Sequence, residues 1–288
     1  MRTHRIIFIL IIFVIILSPV QPIAGDSRIM NVHFINVGQG DSILIQTPEG
    51  KHILIDGGPP ASDDRLVQYL KDHKVEKIDL MIATHPDIDH IGGLKAILKS
   101  FTVKKVMDLG KVHPTKTFMS YVYQLFKRKV PISIAQEGET INLFNTIDIK
   151  ILNAYNSGED NNEASIAMQL SYEDVDFLLM GDVGKNEEKK LLENDDLQAD
   201  IIKIGHHGSK TSTSLPFLEA INPKVALITY SKNNKYGHPV DRVIRNLHTV
   251  NAQIFSTAVY GNIIIETDGK RYIVLPEKSP MDGLESSG

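Results

Sequence analysis

The stretch His85-Pro86-Asp87-Ile88-Asp89-His90-Ile91-Gly92-Gly93 decides the fold, because it places four metal-binding side chains within six residues. It follows the apolar run Leu80-Met81-Ile82-Ala83, which indicates a buried strand. The two glycines allow a tight turn where a helix begins. Imidazoles and carboxylates together suit Zn²⁺, Mn²⁺ or iron better than an all-oxygen calcium site does. The stretch predicts a metal site at a strand end, and a solvated polar turn is the alternative.

Three motifs further along the chain carry the same chemistry. They are Gly181-Asp182 after the apolar run Phe177-Leu178-Leu179-Met180, Gly205-His206-His207-Gly208-Ser209 after Ile201-Ile202, and Tyr236-Gly237-His238-Pro239. Adjacent imidazoles cannot both face one way from an extended chain. We therefore expect one of His206 and His207 to bind metal, with His206 favoured, while the other lies behind it or faces the substrate. A histidine before proline is held extended, and His238 is a further candidate ligand.

The candidate ligands are numerous enough for two metals. They are His85, Asp87, Asp89, His90, Asp182, His206 (with His207 as the alternative) and His238. Two divalent ions about 3.5–4 Å apart, sharing one carboxylate and one hydroxide, need roughly that many ligands. Asp182 is the expected bridging carboxylate.

Strand-like runs alternate with helical patterns in both halves of the chain. The predicted strands are 30–36, 42–46, 52–56, 80–83, 103–109, 146–152, 165–172, 175–180, 199–204, 225–229, 252–256, 262–266 and 271–275, and the predicted helices are 63–71, 93–100, 118–129, 185–193, 214–221 and 239–247. Two packed sheets with helices outside would bury all of these faces. Residues 29–276 indicate one α/β domain, and residues 277–288 indicate a disordered tail.

The termini and the composition bear on location and partners. Residues 1–25 combine a basic start with the apolar run Ile6 to Leu17, which predicts a signal peptide or an uncleaved N-terminal anchor. The protein is then secreted, or anchored with its catalytic domain outside the cytoplasm, and this segment is its only expected membrane contact. A net charge of −4 argues mildly against a tight binder of long nucleic acid. The absence of Cys excludes thiolate ligands, and no feature implies an obligate protein partner.

The ordered set of motifs resembles the metallo-β-lactamase superfamily, and in detail its competence-protein branch, the nuclease-like domain of ComEC. That branch carries His-x-Asp-x-Asp-His, as at residues 85–90. The other matching motifs are Gly38-Gln39-Gly40-Asp41-Ser42, Ile55-Asp56-Gly57-Gly58, Gly181-Asp182, Lys203-x-Gly205-His206-His207-Gly208-Ser209 and Gly237-His238-Pro239. The resemblance covers nearly all of residues 29–276. It implies a four-layer αββα sandwich with a dinuclear metal site at the sheet edge.

The chain departs from the family pattern at two places. Many superfamily members have a further metal-binding histidine where this chain has Asn161-Asn162-Glu163-Ala164-Ser165, and an amide is a poor substitute. Asp87 replaces an imidazole and hardens one site, which favours Mn²⁺ or Mg²⁺ more than two histidines would. We therefore expect two divalent ions, Zn²⁺ or Mn²⁺, with Mg²⁺ also admissible.

Further residues have expected roles around the metals. Asp41 and Asp56 are expected to orient ligand imidazoles. The predicted catalytic residues are Asp89, Asp182, His207 and Lys203, and the predicted substrate-binding residues are Lys203, Ser209, Lys235 and Tyr236. The lysines near the motifs suit a cationic rim for phosphate, with a solvated loop as the alternative, and Tyr236 suits stacking on a base or sugar.

These features favour an exported metal-dependent phosphodiesterase that acts on DNA or another phosphodiester through a metal-bridging hydroxide. The same hydroxide attacks a carbonyl equally well, so a hydrolase of a small ester, lactone or β-lactam is the alternative. A non-catalytic binding module on the same fold is the third hypothesis, although such a module would be expected to have lost ligands.

Overall fold

The computed structural model describes residues 28–155, 160–194 and 197–280. The predicted signal segment (1–25) and residues 281–288 of the predicted tail lie outside these ranges. Among the helices described, none combines the length and the apolar character that crossing a bilayer requires.

The first half of the described chain alternates strands with helices. Its elements are β1 (Met30–Phe34), β2 (Ile43–Gln46), β3 (His52–Ile55), α1 (Asp63–Asp72), β4 (Lys77–Ile78), β5 (Leu80–Ala83), α2 (Ile88–Ile91), α3 (Leu94–Ser100), β6 (Thr102–Val103), β7 (Val106–Asp108), α4 (Lys116–Arg128) and β8 (Ile132–Ile134). The hydroxyl of Thr115 begins α4 by accepting a hydrogen bond from the Phe118 backbone N–H. Lys129, in the left-handed region with φ 53°, ends the helix.

The second half repeats the pattern and returns to the first sheet. Its elements are β9 (Asp148–Asn153), β10 (Ala167–Tyr172), β11 (Val175–Leu179), α5 (Lys185–Asn194), β12 (Ile201–Lys203), α6 (Leu215–Ile221), β13 (Val225–Ile228), α7 (Asp241–Thr249), β14 (Gln253–Ser256), α8 (Thr257–Tyr260), β15 (Ile263–Thr267) and β16 (Tyr272–Pro276). Short 3₁₀ turns cover Pro60–Ser62 and Gly205–Gly208.

Two large sheets carry the fold within the described ranges. The eight-stranded sheet has the order β16-β15-β1-β2-β3-β5-β7-β8, the six-stranded sheet has the order β14-β13-β12-β11-β10-β9, and β4 and β6 form a small separate pair. Strands β3, β5, β7 and β8 are parallel, as are β11, β12, β13 and β14. The carboxyl ends of parallel strands face one edge of a sheet, where α/β proteins build their sites.

Alternating side chains divide the core into three parts. Val32 and Ile53 of one sheet pack with Phe177 and Ile201 of the other, so this cluster lies between the sheets. Neighbouring strand residues such as Leu54 pack instead with helices α1, α3 and α4, and the outer face of the second sheet packs with α5, α6 and α7. The layers are therefore αββα, which confirms the predicted fold class.

The structure contains short elements that the sequence pattern did not predict. The strand predicted at 103–109 is divided into β6 and β7, and β4, β8, α2 and α8 are additional. Each of these has two to four residues, which is too short for a hydrophobic period to show. The predicted long elements are present.

Candidate metal centre

One carboxylate oxygen, Oδ2 of Asp182, is the hub of the site. Asp182 follows β11 after Gly181 and is 3% exposed. The Nε2 atoms of four histidines surround its Oδ2, namely His90 at 3.4 Å, His207 at 3.6 Å, His206 at 3.8 Å and His85 at 3.9 Å. These distances are too long for hydrogen bonds between the groups but fit side chains that share bound cations.

Asp56 and Thr84 hold the two histidines of the first motif. The Nδ1 atom of His90 lies 2.7 Å from Oδ2 of Asp56. Thr84 donates to the same carboxylate from its backbone N–H (2.9 Å) and its hydroxyl (2.6 Å). Because the carboxylate only accepts, His90 donates through Nδ1 and turns the lone pair of Nε2 towards Asp182. The predicted orienting role of Asp56 agrees with this geometry, and Thr84 is a partner that the motif analysis did not identify.

Burial and neighbouring charges drive the pKa values of these groups apart. Burial, reinforced by the nearby His90, holds the pKa of His85 well below its ordinary value. Burial opposes the charge on His90, but the carboxylates of Asp182 and Asp56 outweigh it and raise the pKa of His90 well above the ordinary value. Burial is likewise outweighed at Asp182, where His207 and His90 hold the carboxyl pKa well below its usual range. A metal ion must displace the proton on His90, so metal binding is linked to proton release.

The Gly205–Gly208 turn brings both adjacent histidines to the hub, which corrects the expectation that only one of them could face it. That expectation assumed an extended chain, whereas His206 and His207 have left-handed φ values of 47° and 53°. His207 is 1% exposed and donates through Nδ1 to the Thr229 carbonyl at 2.8 Å, so its Nε2 faces Asp182 and lies 3.5 Å from Oδ2 of Asp89.

His206 and His207 exchange the roles that the sequence favoured. The side chain of His206 is 23% exposed, and its Nδ1 lies 3.2 Å from the Thr211 hydroxyl. The groups of converging ligand atoms in the described chain include His207 and omit His206. The geometry therefore favours His207 over the predicted His206 as the ligand, because His207 is the buried imidazole and His206 faces the opening.

The residues present fit divalent metal ions. The described chain contains four groups of three convergent ligand atoms: His85-His90-Asp182, Asp89-His90-His207, Asp41-Asp56-His90 and Asp41-Asp182-His207. Buried atoms without a hydrogen-bond partner include Nε2 of His85, His90 and His207 and Oδ1 of Asp182. Unpaired polar atoms inside a protein are costly, and bound cations would satisfy these. The first group contains the predicted bridging carboxylate, and Nε2 of His207 in the second lies 3.6 Å from Oδ2 of that same Asp182, which suits a dinuclear centre.

Asp87 lies at the edge of the centre and accepts a hydrogen bond from the side-chain amide of Asn161. Asn161 belongs to the segment where the family resemblance implied a metal-binding histidine. The Oδ2 atom of Asp87 is 3.8 Å from Nε2 of His85, and its Oδ1 accepts a 2.5 Å hydrogen bond from Nδ2 of Asn161. The His113 imidazole lies 3.5 Å from the same amide nitrogen. Asn161 therefore orients Asp87 through its N–H group, which is a different function from that of a metal-binding histidine.

Lys203 lies beneath the centre, in a position that argues against the predicted contact with substrate. It is 0% exposed, its Nζ pairs with Oδ2 of Asp41, and it donates to the Gly181 carbonyl at 3.0 Å. The same Nζ lies 4.0 Å from Oδ1 of Asp182. Asp41 also accepts a hydrogen bond from the Thr229 hydroxyl. The ammonium group therefore fixes two carboxylates from below the centre, and complete burial keeps it away from any substrate.

The remaining predicted residues divide between the interior and the mouth. Ser209 is 4% exposed and its hydroxyl accepts hydrogen bonds from Thr211, which places it inside the loop and contradicts a substrate-binding role. Tyr236 is 57% exposed and stacks on His238 with ring centroids 5.5 Å apart, and the Nζ of Lys235 lies 5.4 Å from the Tyr236 ring centroid. These two residues are exposed at the mouth beside His238, and their contact with substrate stays a prediction.

His238 lies one layer further out than predicted. Its ring centroid is 5.6 Å from that of His206, and it belongs to none of the convergent groups in the described chain. Burial and the neighbouring His206 and His207 lower the pKa of His238 to about 4. A neutral imidazole at the mouth can bind a substrate group or an added ligand, but it is not positioned as a primary metal ligand.

A cleft of about 470 Å³ opens beside Asp182 and His206. Its other lining residues are Asp160, Asn162, Glu163, Gly184, Lys185, Asn186, Glu187, Lys210 and Thr211. Asp160 and Glu163 accept hydrogen bonds from each other's backbone N–H, and Glu187 accepts one from that of Gly184. The sequence analysis did not identify this cleft, because its walls come from α5 and two loops without a shared motif.

Comparison with known proteins agrees with this geometry. The chain is 28% identical over 275 residues to the ComE operon protein 3 of Bacillus subtilis, covering 88% of this chain and 34% of that protein. It is 25% identical over 230 residues to the competence protein ComA of Neisseria gonorrhoeae, covering 78% of this chain and 30% of that protein. The chain thus spans about a third of the length of these relatives. Among solved structures, the metallo-β-lactamase fold protein YhfI from Bacillus subtilis superposes with a TM-score of 0.57 at 14% identity, covering 83% of this chain and 99% of that one.

The family model described as the metallo-β-lactamase superfamily matches residues 35–231, which is more than half of the chain. This range contains the first metal motif, Asp182 and both histidines of the Gly205–Gly208 turn. The similarity to ComE operon protein 3 and to ComA confirms the resemblance to the competence-protein branch. The chain therefore belongs to the metallo-β-lactamase superfamily, is similar to competence proteins of the ComEC kind, and brings together His and Asp side chains that suit divalent metal ions.

Proposed function

We propose that the protein is an exported, two-metal phosphodiesterase that cleaves nucleic acid, such as DNA, or a related phosphodiester. One observation carries the proposal: imidazoles from two separate loops surround Asp182 beside an open cleft. Zn²⁺ or Mn²⁺ suits the mixed imidazole and carboxylate ligands, and Mg²⁺ suits the carboxylate side of the site.

The chain's own residues bind and orient the reacting groups. Asp182, His85, His90, Asp89 and His207 would hold the ions, and Asp56 and Asp41 fix the ligands from behind. Two bound divalent ions supply a hydroxide at neutral pH and positive charge for the phosphate oxygens. No Ser or Cys nucleophile is required.

The cleft and the mouth favour a phosphodiester over a neutral amide or ester. Lys185 and Lys210 line the cleft next to Asp182, and Lys235 lies at the mouth with Tyr236. Ammonium groups attract a phosphate chain as point charges, and an exposed tyrosine offers a ring on which a base can stack. Three of the four acidic residues that line the cleft, Asp160, Glu163 and Glu187, accept hydrogen bonds from the backbone of their own turns, and the fourth is Asp182 itself.

A substrate panel tests this proposal. The full chain is assayed with bis(p-nitrophenyl) phosphate, linear double-stranded DNA, single-stranded DNA and a chromogenic β-lactam, each with Mn²⁺ and with Zn²⁺. We expect the protein to hydrolyse phosphodiesters. We expect this activity in the membrane or secreted fraction of expressing cells. Cleavage of the β-lactam alone would instead favour carbonyl chemistry. Activity confined to the cytosolic fraction would contradict export, and inactivity on every substrate with metal bound would favour a binding module.

A further inference from the structure

Exposed apolar side chains are concentrated in one short part of the chain, away from the metal ligands. Of 15 large hydrophobic residues that are exposed within the described ranges, seven lie between positions 112 and 134. They are Val112 (80% exposed), Met119 (61%), Val122 (37%), Tyr123 (58%), Phe126 (83%), Ile132 (51%) and Ile134 (50%). Single exposed apolar residues are ordinary, but a contiguous group marks a binding surface.

Helix α4 has two apolar faces rather than one. Phe118, Tyr121 and Leu125 are buried against the core. Met119, Val122, Tyr123 and Phe126 follow the i, i+3, i+4, i+7 spacing that places side chains on one face of a helix, and all four are exposed. An outer stripe of this kind is not explained by the packing of the described residues.

The edge strand β8 extends the same side of the molecule. It ends the eight-stranded sheet, and its residues Ile132 and Ile134 pair in register with Val106 and Asp108. Paired residues of neighbouring strands point to the same face. That face is the one beneath α4, since the Tyr121 hydroxyl donates to Asp108 at 2.9 Å. The two isoleucines therefore lie on the side of the sheet that α4 covers and remain half exposed.

Positive charge flanks the exposed stripe. Residues 109–136 contain five Lys and Arg residues and no Asp or Glu, in a chain whose net charge is −4. Lys116 and Lys127 are exposed and lie about three helical turns apart, on one side of the stripe, and the exposed Lys129 directly follows the end of α4. The surface of α4 and β8 is therefore apolar at its centre and basic around it.

We propose that the outer surface of α4 and β8 lies on an anionic lipid bilayer. Interfacial helices of this kind bury a central apolar stripe in the acyl boundary while lysines on the flanks meet acidic headgroups. Nucleic acid shares the negative charge and could stack on Tyr123 and Phe126, but the other four exposed residues of α4 and β8 (Met119, Val122, Ile132 and Ile134) have no ring and suit an acyl layer better. The absence of any acidic residue in the segment fits a uniformly negative partner better than a protein surface of mixed charge. This surface is separate from the metal centre, and the proposal does not depend on the proposed function.

The chain contains no Trp, so a single introduced Trp reports on its own surroundings. In the full chain, Phe126→Trp places this reporter on the α4 stripe. Ile273→Trp is the matched control, because Ile273 is 52% exposed on β16, at the opposite end of the same sheet. Each variant is mixed with phosphatidylcholine vesicles, with and without phosphatidylglycerol. The control is needed because the apolar N-terminal segment could bring either variant to a vesicle.

We expect the emission of the Phe126→Trp variant to shift to the blue and to be quenched by brominated lipids only with phosphatidylglycerol, while the emission of the Ile273→Trp control stays unchanged. Adding Lys116→Gln, Lys127→Gln and Lys129→Gln to the Phe126→Trp variant should weaken its binding to phosphatidylglycerol vesicles, measured by the blue shift, about 100-fold. An unchanged spectrum of the Phe126→Trp variant with both vesicle types would overturn the proposal. So would quenching by a single-stranded oligonucleotide in place of vesicles, or an emission already shifted to the blue before vesicles are added, since the surface would then bind nucleic acid or be covered already.

Discussion

Replacing Asp182 with alanine is expected to lower phosphodiester hydrolysis by about 10³-fold or more, because the variant loses the carboxylate that both metals would share. Its Oδ2 lies within 4 Å of four imidazole Nε2 atoms. Without this carboxylate the site loses a ligand and one of the negative charges that would offset the charge of the cations. Metal content measured by mass spectrometry should fall together with kcat/KM.

Asp176→Ala is the matched control for this experiment. Asp176 lies on β11, the strand that precedes Asp182, but its side chain accepts a hydrogen bond from Ser171 on the neighbouring strand. Its removal should leave metal content and activity close to those of the unmodified protein. Circular dichroism establishes that both variants are folded. An Asp182→Ala protein that keeps full activity, or keeps its metal while losing activity, would contradict the proposed bridging role.

Replacing Gly40 with alanine is expected to lower the free energy of unfolding by about 3 kcal/mol or more. An added Cβ would lie 2.1 Å from the backbone oxygen of Asp89, and Gly40 has a φ of 138°. The neighbouring Asp41 N–H donates to that same oxygen at 3.2 Å. Backbone atoms cannot yield as a flexible side chain can, so the added methyl group must push apart the segments that carry Asp41 and Asp89.

Gly38→Ala measures the strain of a positive φ alone, without the close contact with Asp89. Gly38 also has a positive φ, 85°, but none of the described residues has an atom within 4 Å of its added Cβ. Its substitution should cost only the strain of a left-handed alanine, about 1–2 kcal/mol. Urea denaturation of both metal-free variants, with metal titration of each folded protein, measures the difference. Equal losses of stability in the two variants would show that the close approach to Asp89 is unimportant.

The predictable part of this protein is the part set by periodicity and by strand ends. Apolar runs such as Leu80–Ala83 located the central strands, and the motif that follows each run lies at the carboxyl end of a strand, with His85 after β5 and Asp182 after β11. The two strands belong to different sheets, and the packing of the sheets brings the two side chains within 3.9 Å of each other. Short elements such as β8 were not predictable, since three residues do not establish a period.

Tertiary structure decided the roles of individual side chains. Lys203 looked like a phosphate-binding residue because it precedes a histidine motif, yet β12 lies inside the sheet and its lysine is buried against Asp41. The left-handed backbone at His206 and His207 exchanged their expected roles as ligand and neighbour. Histidine in a sequence does not reveal such a conformation. Thr84 and Asn161 were missed because their importance lies in what they contact, Asp56 and Asp87, rather than in metal-binding chemistry.

The central claim is that two divalent ions bind around Oδ2 of Asp182. Anomalous diffraction from crystals of the protein grown with Mn²⁺ tests it most directly. We predict two peaks about 3.5–4 Å apart, one beside His85 and the other beside Asp89 and His207, with Asp182 between them. A map with Mn²⁺ bound elsewhere, or with no peak within coordination distance of Asp182, would contradict it.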